Sequence, residues 1–198
     1  MYARFGKRAL DAAGAALLLA LLAPLLLGVA GAVRVALGAP VMFRQRRAGQ
    51  HGRPFTVLKF RTLREGPGDD AARMTALGRV LRALALDELP QLVNVLRGEM
   101  SLVGPRPLPL DYVALYSPRQ ALRLRLRPGL AGAAQAAGRN AVGWETRLEL
   151  DARHAEAPPR LSRDVALLLR CGLLALSGRG ASAPGHATMP AFRGEKRS

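Results

Sequence analysis

Residues 12–33, AAGAALLLALLAPLLLGVAGAV, form an uncharged stretch made mostly of Ala and Leu. At about 1.5 Å per residue, a helix of this length could cross the hydrocarbon core of a bilayer. A secretory signal peptide also begins with basic residues, but its apolar core is only about 7–15 residues long. A cleaved presequence is therefore the minority interpretation, and the stretch predicts a membrane protein.

Basic residues flank this stretch on both sides. Arg4, Lys7 and Arg8 precede it, and residues 34–64 hold eight basic residues and no acidic one. Positive flanks prefer the cytoplasm, so a spanning helix would have to export one of them. Pro24 lies near the middle and removes a backbone hydrogen bond. A re-entrant helix is favoured modestly over a kinked spanning helix, which remains open because membranes tolerate Pro.

The strongly positive composition indicates which class of partner the protein binds. A net charge of +16 over 198 residues, with pI ≈ 11.6, implies a polyanionic partner such as nucleic acid, anionic lipid or a phosphorylated substrate. The apolar stretch and an aromatic content of only 5% argue against nucleic acid. A single cysteine, Cys171, excludes an internal disulfide and, with scattered His residues, a zinc site.

The rest of the chain predicts one mixed but mostly helical domain. Short apolar runs at residues 41–43 and 55–60 are separated by turn residues, which indicates a β-hairpin. Residues 65–70 are typical of a polar loop. Apolar spacing and terminating residues predict five helices, the last with Ser162 as its cap, at residues 76–85, 89–96, 111–116, 118–126 and 162–176.

Asp87 and Glu88 are adjacent carboxylates in an otherwise apolar run, in a chain with 14 acidic and 30 basic residues. Removing a charged group from water costs free energy, so two carboxylates in an apolar run indicate a structural or functional role. On a regular helix the two would point about 100° apart, but at a helix start or kink they could converge. They could then serve as a nucleophile beside a magnesium ligand. Residue types alone favour a plain helix start.

Three basic residues are candidates for binding phosphate. Lys59 and Arg61 share one side of the second predicted strand, because side chains alternate along a strand. Residues 101–107 cannot form regular helix, since Pro105 and Pro107 fix the backbone around Arg106. A guanidinium held in this way is suited to gripping phosphate. For any single Arg, a solvated surface charge stays the alternative.

The order of motifs resembles the bacterial sugar transferases, the small monotopic phosphoglycosyl transferases that initiate surface glycan assembly. The resemblance covers residues 7–194, nearly the whole chain. Its most specific parts are the Asp-Glu-Leu-Pro-Gln-Leu and Gly-Pro-Arg-Pro blocks. The matching stretches are residues 7–11, 38–45, 59–62, 86–92, 94–107, 127–129 and 138–140, together with Pro24.

The resemblance implies transfer of a sugar-1-phosphate from a UDP-sugar to undecaprenyl phosphate, with release of UMP. It implies that Asp87 is the nucleophile of a covalent phosphosugar intermediate, and that Glu88 ligates Mg²⁺. The phosphate-binding positions that it implies are Lys59, Arg82, Arg106 and the acidic Asp151.

The resemblance also implies the organisation of the chain. The expected fold is α/β, mostly helical, with a re-entrant membrane helix over residues 1–37, a catalytic domain with interfacial amphipathic helices over 38–194, and a basic tail over 195–198. The expected place is the cytoplasmic face of the bacterial inner membrane, with anionic lipids as partners and a homodimer left open. Ala23 stands where the family has Ser before Pro24, so the helix break rests on Pro24 and the flanking charges.

A scaffold protein is the rival from another class. A non-catalytic, basic membrane protein that recruits acidic partners would explain the charge and the apolar stretch. It gives no reason for Asp87-Glu88 or for the fixed Arg106. Residues 131–135 lack the Trp that the family often has there, so the sequence leaves the identity of the sugar unpredicted.

Overall fold

The computed structural model describes Tyr2, residues 6–180 and residues 189–194. This part of the chain is mostly helical, as expected, with two small sheets. Its α-helices are α1 Lys7–Leu37, α2 Asp70–Arg73, α3 Ala76–Ala83, α4 Gln91–Leu96, α5 Pro118–Ala121, α6 Ala133–Ala136, α7 Trp144–Glu156 and α8 Leu161–Leu176. Its strands are β1 Met42–Ala48, β2 Pro54–Phe60, β3 Ser101–Val103 and β4 Gly129–Ala131, and its 3₁₀ turns are Gln50–Gly52, Leu86–Glu88, Leu110–Leu115, Leu122–Arg125 and Arg139–Ala141.

The predicted hairpin is confirmed. β1 and β2 pair antiparallel with Met42 opposite Phe60 and Ala48 opposite Pro54. β1 is longer than predicted because the pairing continues through the charged residues 44–47, which lack the apolar alternation used to recognise a strand. His51 and Gly52 have positive φ in the connecting turn.

A second sheet was not predicted. β3 and β4 pair parallel, with Ser101 opposite Gly129 and Val103 opposite Ala131. Gly104 and Gly129 approach closely beside this pair, and Gly129 N donates to Pro105 O at 2.9 Å. The two strands are only three residues each and lie far apart in sequence, so no local pattern predicts them.

We expect Gly104→Ala to destabilise the domain by about 1–3 kcal/mol, because a Cβ there overpacks the site. That atom would lie 2.2 Å from the carbonyl oxygen of Arg127, which is backbone and cannot move aside. Urea unfolding in detergent measures the change. Gly172→Ala in α8 is the control, since nothing lies within 4 Å of its added Cβ. Equal stability of the two variants would contradict the overpacking argument.

The N-terminal half of α1 is tied to the domain by polar and apolar contacts. Lys7 Nζ lies 2.7 Å from Asp164 Oδ2 in α8. Asp11 is buried, and its Oδ1 accepts a hydrogen bond from the backbone N of Leu102 at 3.0 Å. Ala15 is fully buried in the main core, which also holds Phe55, Val57, Leu92, Val95, Met100, Leu102, Val103 and Ala131.

The C-terminal half of α1 also packs against this domain. Val29 and Val33 are buried with Phe60 and Leu81 in a second apolar cluster. An 18-residue window of the helix has a mean hydropathy of 2.5, and the helix, with Pro24 inside it, is long and apolar enough to cross a membrane. Its exposed apolar side chains are Leu10, Leu17, Leu18, Leu21, Leu25, Leu27 and Val35. The re-entrant topology stays a prediction.

Three of the five predicted helices are confirmed: α3 and α4 are shorter than predicted, and α8 ends at Leu176 as predicted. The stretch at 111–116 is a 3₁₀ turn rather than an α-helix, and 118–126 divides into α5 and a 3₁₀ turn. The cap assigned to Ser162 is wrong, because α8 begins at Leu161 after Arg160 with no side-chain cap. The sequence also missed α7, whose buried face includes Arg147 and Asp151 and therefore lacks apolar periodicity.

Some expectations fall on residues outside the described part. They concern Arg4, the irregular segment at 185–188 and the basic tail at 195–198. Residues 189–194 are described and hold no regular secondary structure, as predicted.

Candidate active site

Asp87 and Glu88 lie on a 3₁₀ turn that directly precedes α4. Ala85 enters the turn in the left-handed region, with φ 55°. The backbone N of Glu88 donates to Ala85 O at 3.2 Å. The pair is thus both near a helix start and outside a regular helix, so the two carboxylates line one cavity.

Glu88 is held by two cations. Lys59 Nζ donates to Glu88 Oε1 at 2.6 Å, and Arg106 forms a two-pronged contact, Nη2 to Oε1 at 2.5 Å and Nη1 to Oε2 at 3.1 Å. Burial opposes ionisation of Glu88, but the charges and hydrogen bonds of Arg106 and Lys59 prevail and lower its pKa well below the ordinary value. Glu88 is therefore a fixed anion that orients both cations.

Asp87 has the opposite character. Its carboxylate forms no hydrogen bond or close ion pair with the described residues, and the residue is 7% exposed. Burial and the neighbouring charge of Glu88 raise the pKa of Asp87 to about 6, although Lys59, Arg106 and Arg82 act in the other direction. The pair therefore contains one engaged carboxylate and one that is available to react.

A cavity of about 690 Å³ opens over this pair. Its walls include Lys59, Arg82 and Arg106, so it is strongly cationic. Arg82 comes from the last turn of α3, and its Nε donates to Thr62 Oγ1 at 2.9 Å, which leaves the rest of the guanidinium for other partners. The structure thus brings together five predicted site residues, Lys59, Arg82, Asp87, Glu88 and Arg106.

Asp151 is the exception among the predicted phosphate-binding residues. It is fully buried, and its Oδ2 accepts from Arg123 Nη2 at 2.9 Å. Arg123 Nη2 also donates to the backbone oxygen of Arg106 at 2.7 Å. Asp151 is not among the residues that line the cavity, and through Arg123 it contacts the backbone that carries Arg106. Its direct contact with a phosphate stays a prediction.

Arg61, a sequence candidate beside Lys59, also lines the cavity, but its guanidinium is held by other groups. It is buried, and its guanidinium donates to the carbonyl oxygens of Leu37, Gly38 and Ala39 at the end of α1. It also pairs with Glu65 at 2.8 Å. Arg61 therefore closes the C-terminal end of the long helix, where cations are favoured by the helix dipole.

Sequence reasoning missed a second wall of the cavity. It is formed by Tyr112, Arg139, Trp144, Arg147 and Met189. Arg139 lies within a motif of the resemblance, and Trp144 is the only tryptophan of the chain, so both offered a signal. Met189 offered none, because a lone Met in an irregular tail has no distinguishing pattern.

The carboxylate pair fits a magnesium ion held jointly with a substrate. Within the described residues, no group of three or more His, Cys, Asp or Glu could hold a metal. Mg²⁺ is often bound by one or two carboxylates together with substrate phosphates. Three donors occupy Glu88, two on Oε1 and one on Oε2, so a lone pair of Oε2 and the Asp87 carboxylate remain for a cation.

Comparison with known proteins finds relatives over most of the chain. A model of the bacterial sugar transferase family matches residues 2–177. The uncharacterized sugar transferase EpsL of Bacillus subtilis is 48% identical over 151 residues, covering 73% of this chain and 75% of the relative. The UDP-glucose:undecaprenyl-phosphate glucose-1-phosphate transferase of Caulobacter vibrioides is 51% identical over 145 residues, covering 67% of this chain and 54% of the relative.

A third relative extends the comparison along the chain. The undecaprenyl-phosphate galactose phosphotransferase of Salmonella typhimurium is 34% identical over 201 residues, covering 90% of this chain and 42% of the relative. The chain thus spans about half or less of the last two relatives. Their names specify different sugars.

Proposed function

The chain belongs to the bacterial sugar transferase family, and from that premise we propose that it transfers a sugar-1-phosphate from a UDP-sugar to undecaprenyl phosphate, releasing UMP. The observation that carries the proposal is the unequal carboxylate pair. Asp87 is unengaged beside a cationic cavity, whereas Glu88 holds two of the cations in place. That arrangement suits a nucleophile that attacks phosphorus.

Two displacements account for the transfer. In the first, a carboxylate oxygen of Asp87 attacks the phosphorus that bears the sugar, the bond to the bridging oxygen breaks, and UMP leaves with that oxygen. In the second, a phosphate oxygen of undecaprenyl phosphate attacks the same phosphorus, and the Asp87 carboxylate leaves. The product is undecaprenyl diphosphate sugar, and Asp87 returns unchanged, which is a ping-pong course.

The cationic side chains would stabilise the negative charge that develops on the phosphates during these steps. Lys59, Arg82 and Arg106 face the cavity and would stabilise the diphosphate and the leaving UMP. Glu88, through the remaining lone pair of Oε2, is the residue that would hold Mg²⁺ beside Asp87. The ion would supply further neutralisation of phosphate charge. Asp151, through Arg123, supports the backbone that carries Arg106.

The proposed location is the cytoplasmic face of the bacterial inner membrane. The exposed Leu residues of α1 would lie among acyl chains, and the contacts of both its halves with one domain support a re-entrant path. Residues 1–37 would then be the membrane part and residues 38–194 the catalytic domain. The high positive charge would favour anionic lipid and a lipid-linked phosphate acceptor.

A panel of UDP-sugars tests this function. Purified protein in detergent, with Mg²⁺ and undecaprenyl phosphate, should release UMP with at least one sugar. Without the acceptor, release should stop near one UMP per protein, because Asp87 would retain the phosphosugar. A folded protein that releases no UMP with any sugar would contradict the proposal and favour the scaffold.

A further inference from the structure

The segment of residues 189–194 packs on the cavity wall although it lies beyond the family match, which ends at residue 177. We call this segment the C-terminal strap. Its Phe192 is only 7% exposed and belongs to an apolar cluster with Leu108 and Leu148. The ring of Phe192 lies 5.5 Å from that of Trp144 and 5.6 Å from that of Tyr112, centroid to centroid. A buried aromatic of this kind anchors the strap.

Two hydrogen bonds fix the strap in register. Trp144 Nε1 donates to Pro190 O at 2.8 Å, and the backbone N of Phe192 donates to the Tyr112 hydroxyl at 3.0 Å. The two partners, Tyr112 and Trp144, both line the cavity. The strap is therefore attached to the cavity wall itself and not to a distant surface.

Because these two hydrogen bonds position the strap, the half-buried Met189 lies in the cavity lining. Its sulfur lies 3.9 Å from Arg147 Nη2. The Arg147 guanidinium in turn lies 5.1 Å from the centroid of the Trp144 ring. This wall combines a thioether, aromatic rings and a cation, whereas the wall around Asp87 is built from charged groups.

The two kinds of wall correspond to two parts of a nucleotide sugar. The diphosphate requires cations, which Lys59, Arg82 and Arg106 provide. A nucleobase presents a flat π-face, which packs well on aromatic rings, on Arg and on a polarizable sulfur. We propose that Met189, positioned by the C-terminal strap, contacts the nucleoside of the UDP-sugar and sets its affinity. This inference rests on the proposed function for the identity of the donor.

Binding of UMP and of pyrophosphate to Met189→Ala tests the inference. Calorimetry with the full chain in detergent should show UMP binding weakened about fivefold to tenfold, because a thioether contact is lost. Pyrophosphate binding should be unchanged, since it reports only on the cationic wall. The KM for the UDP-sugar should rise in parallel, with kcat within about twofold of the wild type.

Three further variants sharpen the test. Met74→Ala removes a half-buried methionine outside the cavity lining and should leave UMP binding unchanged. Phe192→Ala releases the anchor and should weaken UMP binding as Met189→Ala does. Deletion of residues 195–198 removes only chain beyond the strap and should have no effect.

The possible results separate this inference from the proposed function. Unchanged UMP binding in Met189→Ala would overturn the inference while the UMP-release assay of the wild type stands. Equal weakening of UMP and pyrophosphate would overturn the assignment to the nucleoside. Absence of UMP release with every sugar, in protein that binds UMP through Met189, would overturn the proposed function alone.

Discussion

Asp87→Asn is expected to lower UMP release by at least about 10³-fold, because a neutral amide cannot displace UMP from phosphorus. The change keeps the size of the side chain. It leaves no described partner unsatisfied, since the Asp87 carboxylate has no hydrogen bond within the described chain. Removing a carboxylate whose pKa burial has raised should not reduce the free energy of unfolding. Membrane association should also stay unchanged.

The measurement is UMP release with and without undecaprenyl phosphate. Mass spectrometry of the wild type, incubated with donor alone, should find the phosphosugar on the peptide that contains Asp87. Asp111→Asn, an exposed aspartate on another turn, is the matched control and should retain full activity. Substantial UMP release by Asp87→Asn would show that another group attacks the donor.

Glu88→Gln is expected to reduce the rate at pH 8 by about 10²-fold, since Lys59 and Arg106 lose the anion that orients them. Leaving two partly buried cations without their anionic partner also destabilises the domain, by about 1–3 kcal/mol. The rate alone would not distinguish these effects. Thermal unfolding of both proteins therefore accompanies the assay.

The pH dependence of kcat/KM for the donor distinguishes the effect of Glu88 within the site from the destabilisation of the domain. In the wild type, attack requires ionised Asp87, whose pKa is raised to about 6, so kcat/KM should fall about tenfold per unit below that pH. Glu88→Gln removes a neighbouring negative charge while Lys59 and Arg106 stay, so the pKa of Asp87 falls. The acid limb should therefore move to lower pH.

Glu145→Gln provides the matched control for this profile. Glu145 is exposed in the first turn of α7, and its removal should leave both the rate and the acid limb unchanged. An acid limb that stays near pH 6 in Glu88→Gln, or moves upward, would contradict the electrostatic coupling of the pair.

Local patterns predicted much of this fold. The hairpin follows from two apolar runs with turn residues between them, and α3 follows from its apolar spacing. β3 and β4 could not be found in this way, because each needs a partner more than twenty residues away. α7 was missed because its buried face holds Arg147 and Asp151, whose hydrogen-bond partners, Arg139 and Arg123, come from outside the helix.

The candidate site likewise has one part that motifs predicted and another that depends on tertiary contacts. Lys59, Arg82, Arg106, Asp87 and Glu88 were identified from motifs, and the structure gathers them around one cavity. Asp151, also taken from a motif, does not line that cavity, since a motif reports a residue type and not the direction in which its side chain points. The Arg123 contact that occupies Asp151 arises only when α7 packs near the turn at Leu122–Arg125.

The sequence by itself determined a long apolar N-terminal helix, a strongly basic domain and a pair of adjacent carboxylates in an apolar run. These properties depend on composition and on neighbours along the chain. Only the tertiary structure decided that Glu88 is held by Lys59 and Arg106 while Asp87 stays available, that both halves of α1 rest on one domain, and that Met189 reaches the cavity. These outcomes depend on burial and on contacts between distant segments, which local sequence does not encode.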